Sequence, residues 1–255
     1  MPLEIRLLPL LKDNYGYLLN DPESGETAIV DPSEPEPVLA ALAATGWRLT
    51  HILNTHHHFD HIGGNQALKA ATGARIAGPA ADRHRIPDLD TLLAEGDTYR
   101  IGTSTLRVIE VPGHTSGHIA LFFDDDRALF SGDTLFALGC GRLFEGTAAE
   151  MWRSLVKLRA LPGETRVYCG HEYTQSNCRF ALSVEPGNAA LAVRAEEITK
   201  LRSEGWPTIP STIELECRTN PFLRADLPEL QAAIGMAGAE PVAVFAELRR
   251  RKDSF

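Results

Sequence analysis

Long hydrophobic runs, paired cysteines and an excess of positive charge are all missing from this chain. The longest uncharged apolar stretch, Val38 to Trp47, is about half the ~20 residues a helix needs to cross a bilayer. Met1 to Asn14 is rich in leucine, but Glu4, Arg6 and Pro9 interrupt it before the core of a signal peptide can form, so no membrane partner is expected. The four cysteines, Cys140, Cys169, Cys178 and Cys217, show neither CxxC spacing nor the density of a secreted disulfide scaffold. They are expected to be reduced thiols in a cytoplasmic protein. Lys and Arg number 25 against 34 Asp and Glu, a formal charge of −9, which argues against a nucleic acid as the main partner.

What is present is an ordinary globular composition, 44% hydrophobic and 23% charged over 255 residues. A chain of this length buries roughly 70 to 75% of the surface it exposes when unfolded, so it needs no metal staple to fold. Any metal would therefore serve chemistry. Apolar residues alternate with polar ones at Leu3, Ile5 and Leu7, and Tyr15 to Leu19 and Thr27 to Val30 flank the turn-rich segment Asn20 to Gly25, which predicts a three-stranded meander. Pro37, then Leu39, Leu42 and Ala43, then Gly46 predict the first helix. Thr147 to Glu150 reads as a capping box ahead of apolar residues at helical spacing. After His171 strand-like runs disappear, and helical stretches such as Ala189 to Arg202 and Pro241 to Arg251 take over. This change of texture places a boundary near residue 172 and gives two domains, 1–172 and 173–255.

Four apolar runs carry the functional signal, because each ends just before a residue able to bind metal. His51 to Asn54 precedes His56, Val108 to Val111 precedes His114, Ala128 to Phe130 precedes Asp133, and Arg166 to Cys169 precedes His171. Ligands at strand ends can be held by loops while packed strands set their spacing. The strongest single signal is Thr55-His56-His57-His58-Phe59-Asp60-His61, with four imidazoles and a carboxylate in six residues. Imidazole and carboxylate without thiolate suit zinc, iron or manganese. His56, His58, Asp60, His61, His114, Asp133 and His171 exceed the four ligands of one tetrahedral site, so two adjacent ions with Asp133 as the bridge is the economical arrangement.

The run from His56 to His61 matches the HxHxDH signature of the metallo-β-lactamase superfamily, which implies an α/β fold, an αββα sandwich. Gly113 to His118, Ser131 to Phe136, Gly139 to Thr147, Cys169 to Thr174, Asn220 to Arg224 and the terminal Arg249 to Asp253 extend the match over nearly the whole chain. These blocks resemble the glyoxalase II family, the hydroxyacylglutathione hydrolases. GRLFEGT, CGHEYT and the basic C-terminus are much more specific than HxHxDH. The resemblance implies a catalytic sandwich followed by a small, mainly helical glutathione-binding domain. His56, His58 and His114 would hold one divalent ion, Asp60, His61 and His171 the other, and Asp133 both, around a bridging hydroxide, with zinc as the first expectation and iron or manganese as alternatives. Asp60 and Asp133 would be catalytic by orienting that hydroxide. His57 falls at the variable position of the signature, and His118 is expected to be structural or to support a ligand.

By the same resemblance Arg142, Phe144, Tyr173, Arg249 and Lys252 would contact the glutathione thioester. Arg142 replaces a Lys and Phe144 a Tyr often found in animal members, so one hydroxyl contact to the tripeptide is absent or replaced. The expected reaction is hydrolysis of S-(2-hydroxyacyl)glutathione, chiefly S-D-lactoylglutathione, to glutathione and a 2-hydroxy acid such as D-lactate. It would be the second step of methylglyoxal detoxification, carried out by a monomer. No strong general acid stands out, which a thioester tolerates because a thiolate whose acid has a pKa of ~8.5 leaves readily. The alternatives are a one-iron persulfide dioxygenase of the same fold, disfavoured by the helical region with Arg249 and Lys252, and a non-catalytic metal-binding module.

Overall fold

The computed structural model describes all 255 residues. Packing divides the chain into two units: Met1–Glu110 with Ser116–Gly132, and Val111–Thr115 with Asp133–Phe255. No helix is long and apolar enough to cross a membrane.

The first unit opens with the expected meander, β1 (Glu4–Leu10), β2 (Asn14–Asn20) and β3 (Glu26–Val30), paired antiparallel. Helix α1 (Glu36–Thr45) starts on Pro37, whose missing N–H costs nothing in a first turn, and ends at Gly46 with φ 73°, a left-handed value that glycine adopts without strain. It leads into β4 (Arg48–Leu53), then α2 (Phe59–Ile62), α3 (Asn65–Thr72), β5 (Arg75–Pro79) and β6 (Thr91–Leu93). Strands β3 to β6 pair in parallel, in the order in which the chain makes them. Leu18, Ile29, Val38, Leu42, Leu49, Ile52, Leu68 and Ile76 fill one core between this sheet and its helices. Each such side chain contributes about 1.5 to 3 kcal/mol by leaving water.

Strands β7 (Thr98–Ile101), β8 (Ser104–Glu110), β9 (Ile119–Phe123) and β10 (Ala128–Gly132) form an antiparallel ladder in the same unit. The run expected to extend to Val111 ends one residue sooner as β8, because Pro112 follows and has no N–H to continue a ladder.

The second unit holds the short hairpin β11 (Leu135–Phe136) and β12 (Gly139–Cys140), then α4 (Ala148–Arg159) and β13 (Arg166–Cys169). The capping box at α4 is complete: Glu150 N–H donates to Thr147 Oγ1, and Thr147 N–H donates back to Glu150 Oε2. Beyond lie α5 (Thr174–Val184), α6 (Ala189–Ser203), β14 (Ser211–Thr212), α7 (Ile213–Thr219), α8 (Pro228–Ala233) and α9 (Pro241–Asp253). Strand β14 corrects the expectation that strands stop at His171: two residues pair antiparallel with Arg166 and Val167, too few to show any periodicity in sequence. Phe180, Phe222, Phe245 and Trp152 pack in succession through the core of this unit, with ring centroids 5.8, 5.9 and 6.2 Å apart.

Candidate metal centre

In the first unit the chain leaves β4 and enters a loop whose last residue, His58, is the extended N-cap of α2. Asp60 and His61 therefore lie in the first turn of a helix, and His56 and His58 just ahead of it. His56 Nε2 stands 3.1 Å from His58 Nδ1, and His61 Nε2 stands 3.5 Å from Asp60 Oδ2. Asn14 at the start of β2 donates from Nδ2 to both the carbonyl and Oδ2 of Asp60, at 3.0 Å each, and Ser33 Oγ donates to the same carbonyl.

Hydrogen bonds behind these rings decide which nitrogen faces forward. Thr55 Oγ1 donates to Asp31 Oδ2 at 2.7 Å, so toward His56 Nδ1, 3.0 Å away, it acts as acceptor and puts the proton on that nitrogen. Asp31 Oδ2 likewise accepts from His61 Nδ1 at 3.1 Å. Both Nε2 atoms are left with a lone pair, the state in which imidazole binds metal.

The second unit repeats this logic. His114 Nδ1–H donates to the Arg142 carbonyl at 2.8 Å, which leaves Nε2 as the acceptor, 3.5 Å from Asp133 Oδ2. His171 Nε2 lies 3.3 Å from the same oxygen. At Gly141 a Cβ would come within 2.0 Å of the Asp133 carbonyl, so only glycine lets this segment pass so close to Asp133. In each unit one pair, His61 Nε2 with Asp60 Oδ2 and His114 Nε2 with Asp133 Oδ2, sets acceptor toward acceptor, a repulsion that a cation between them would relieve. The donor set, imidazole nitrogen with carboxylate oxygen, fits a divalent ion of the zinc, iron or manganese kind.

The residues expected at a substrate lie in the second unit. Tyr173 stacks on His171, with ring planes 4° apart and centroids at 4.7 Å. Phe144 is 63% exposed and lies 5.2 Å from the His114 ring. Arg142 is also exposed. Lys252 donates to Ser176 Oγ at 3.1 Å, and its pKa is pushed down to about 8, first by burial and then by Arg249, Arg179 and Arg142. Four cations thus gather on an acidic protein. Arg249 differs from a free surface cation: it is 6% exposed, its Nη1 donates to the Cys140 carbonyl at 2.9 Å, and its Nε and Nη2 are held by Asp253.

A sequence profile of the metallo-β-lactamase superfamily matches residues 14–171, and one of the hydroxyacylglutathione hydrolase C-terminus matches residues 172–255. The hydroxyacylglutathione hydrolase of Methylococcus capsulatus is 61% identical over 253 residues, covering 99% of each chain. The chain belongs to the hydroxyacylglutathione hydrolase family. The enzyme of that name from Rhodospirillum rubrum is 56% identical, again over 99% of each chain. Among solved structures, TTHA1623 in a di-iron-bound form is 29% identical with a TM-score of 0.61, covering 86% of this chain and all of that one. This hydroxyacylglutathione hydrolase is therefore an α/β protein, a metallo-β-lactamase domain followed by a helical C-terminal domain.

Several residues of this family member escape the sequence reading. Asp31 orients His61 directly and His56 through Thr55, yet it was visible in principle: it follows the apolar run Thr27 to Val30, as the candidate ligands follow theirs. Asp82 is fully buried and takes His57 Nδ1 at 3.2 Å, so the one histidine at the variable position points to a carboxylate of its own. His118 stacks on His56, with centroids 4.6 Å apart. Arg179 lies on α5 between Cys178 and Phe180 and has no motif to mark it. Burial pushes the Cys140 and Cys169 thiols up to about 11 and about 12, so neither is a nucleophile at neutral pH.

Proposed function

We propose that this chain hydrolyses S-(2-hydroxyacyl)glutathione thioesters, S-D-lactoylglutathione first among them, to glutathione and a 2-hydroxy acid such as D-lactate, as the second step of methylglyoxal detoxification. The observation that carries the reading is Asp133: one carboxylate oxygen faces two imidazole nitrogens, in a chain alike from end to end to hydroxyacylglutathione hydrolases. His56, His58, Asp60, His61, His114, Asp133 and His171 are the proposed ligands of two divalent ions, zinc before iron or manganese.

When bound, such ions supply Lewis acidity toward the thioester carbonyl and the attacking water. The chain's own residues do the rest. Asp133 and Asp60 orient the attacking water by accepting its protons, and the tautomers set by Asp31, Thr55 and the Arg142 carbonyl hold the ligating nitrogens in place. Arg142 and Lys252 meet the two carboxylates of glutathione, the first by a planar fork and the second as a point charge. Arg249 contributes from below by holding the Cys140 carbonyl while adding its charge to the cluster. Tyr173 and Phe144 give the tripeptide apolar faces beside His171 and His114. The departing glutathione thiolate needs no proton donor, in keeping with the absence of a general acid.

Residues 173–255 are the proposed glutathione-binding domain, and the protein is proposed to act as a cytoplasmic monomer; four free cysteines suit a reducing compartment. Steady-state hydrolysis of S-D-lactoylglutathione, with elemental analysis of the same sample, tests the reading. Rapid, chelator-sensitive turnover without oxygen uptake is expected. No turnover by a metal-replete sample, or oxygen consumption with a glutathione persulfide, would overturn it.

A further inference from the structure

The hairpin of β11 and β12 is held by side chains as well as by its own backbone pairing. Asn220 Nδ2 donates to the Phe136 and Gly139 carbonyls at 3.1 and 3.0 Å, and Asn177 Nδ2 donates to the Ala137 carbonyl at 3.1 Å. Leu138 N–H donates to Glu216 Oε2 at 2.8 Å. Leu138 sits at φ 58°, a left-handed conformation that a leucine keeps only where its surroundings enforce it.

Glu216 is the centre of this arrangement and is fully buried. Its Oε2 also accepts from Asn220 at 3.0 Å, while Oε1 takes Ser211 Oγ and the Arg194 guanidinium. Arg194, itself buried, further donates to Thr219 Oγ1 at 2.6 Å and to Ser211 Oγ at 2.9 Å. A buried ion pair of this kind adds little net stability, since desolvation offsets most of the attraction; what it can supply is a single, enforced geometry.

That geometry is transmitted to the site at both ends of the turn. Asp133 lies two residues before β11. On the other side the Cys140 carbonyl holds Arg249, and the Arg142 carbonyl sets the tautomer of His114. We propose that Glu216, with Arg194 and Asn220, is a positioning residue for the reaction: it pins the turn 136–139 and so fixes Asp133 relative to the carbonyl that orients His114. The proposal rests on the thioesterase reading and adds to it a control point on α7 that touches neither substrate nor ligand.

The test uses the full-length, metal-replete enzyme and Glu216→Gln, which keeps the shape but cannot both accept from Leu138 and neutralise Arg194. The core variant Leu230→Ala in α8, with at least the same loss of Tm, serves as the control for a purely structural effect. Three quantities are read well below either Tm: kcat, KM, and the rate at which metal passes to a chromogenic chelator without substrate. Glu216→Gln should lower kcat and speed metal release by about ten- to a hundredfold, the usual cost of losing support behind a ligand, with KM little changed. Leu230→Ala should match wild type in all three. Wild-type kcat and release rate in Glu216→Gln, whatever its Tm, overturn the proposal, as does an equal effect of Leu230→Ala. Should Glu216→Gln fail to fold, Asn220→Ser is read in the same way and the same values decide. If wild type does not turn over the thioester, the functional reading fails, and the chelator rates still decide the positioning role.

Discussion

Asp31 Oδ2 lies 3.1 Å from His61 Nδ1, and thirty positions of sequence separate the two residues. The contact fixes which imidazole nitrogen carries the proton. Replacing Asp31 with Ala should let the His61 ring turn and exchange tautomers, and should disturb His56 as well through Thr55. Metal affinity measured by chelator competition should fall about ten- to a hundredfold, with kcat falling alongside. Unchanged affinity would show that the ligands hold themselves.

Asp133 faces two imidazoles, so its loss should cost more than that of a ligand with one neighbour. Elemental analysis of replete wild type should approach two ions per chain, whereas Asp133→Ala should retain fewer and lose turnover by orders of magnitude. A wild-type plateau at one ion with full activity would remove the two-ion arrangement.

Lys252 gives the reaction a pH dependence of definite sign. With its pKa lowered to about 8, it is a cation below that pH and neutral above it. KM for S-D-lactoylglutathione should therefore rise between pH 7 and 9, by up to about tenfold for one charge-assisted contact at a half-buried site. Lys252→Met should raise KM at pH 7 and abolish the step, while a thioester without the tripeptide should show no step in either protein. The same step in both substrates would place the titrating group elsewhere.

Arg249 changes what a C-terminal truncation measures. By the resemblance the basic run from Arg249 to Lys252 would hold glutathione without joining the chemistry, so that deleting it should mainly raise KM. Because Arg249 is buried on the Cys140 carbonyl, removal of Arg249 to Phe255 should also lower Tm and reduce turnover of both substrates. A selective effect on the glutathione thioester should appear only in Lys252→Met.

Cys140 and Cys169 should be inert in the native state. Thiols held near 11 and 12 contain almost no thiolate at pH 8, so iodoacetamide should leave Cys140, Cys169 and activity untouched until the protein unfolds. Rapid loss of activity with one equivalent incorporated would contradict this.

Local rules were enough for much of the architecture. Pro37 and Gly46 bound α1, Thr147 and Glu150 cap α4, and Arg166–Cys169 forms the expected strand, because caps and turns act within a few residues and are written in residue type. The proposed ligands were equally easy to single out: His56 to His61 is compact, and His114, Asp133 and His171 each follow an apolar run. Strand β14 was not legible, since two residues carry no period and pair only because β13 offers an edge. Nor were Asp82 behind His57 or Glu216 beneath Leu138. A ligand can be recognised by its own chemistry and neighbours in the chain. A supporting carboxylate looks like any other acid until the fold takes water away from it, and only then do its remaining partners, tens of residues distant, determine what it does.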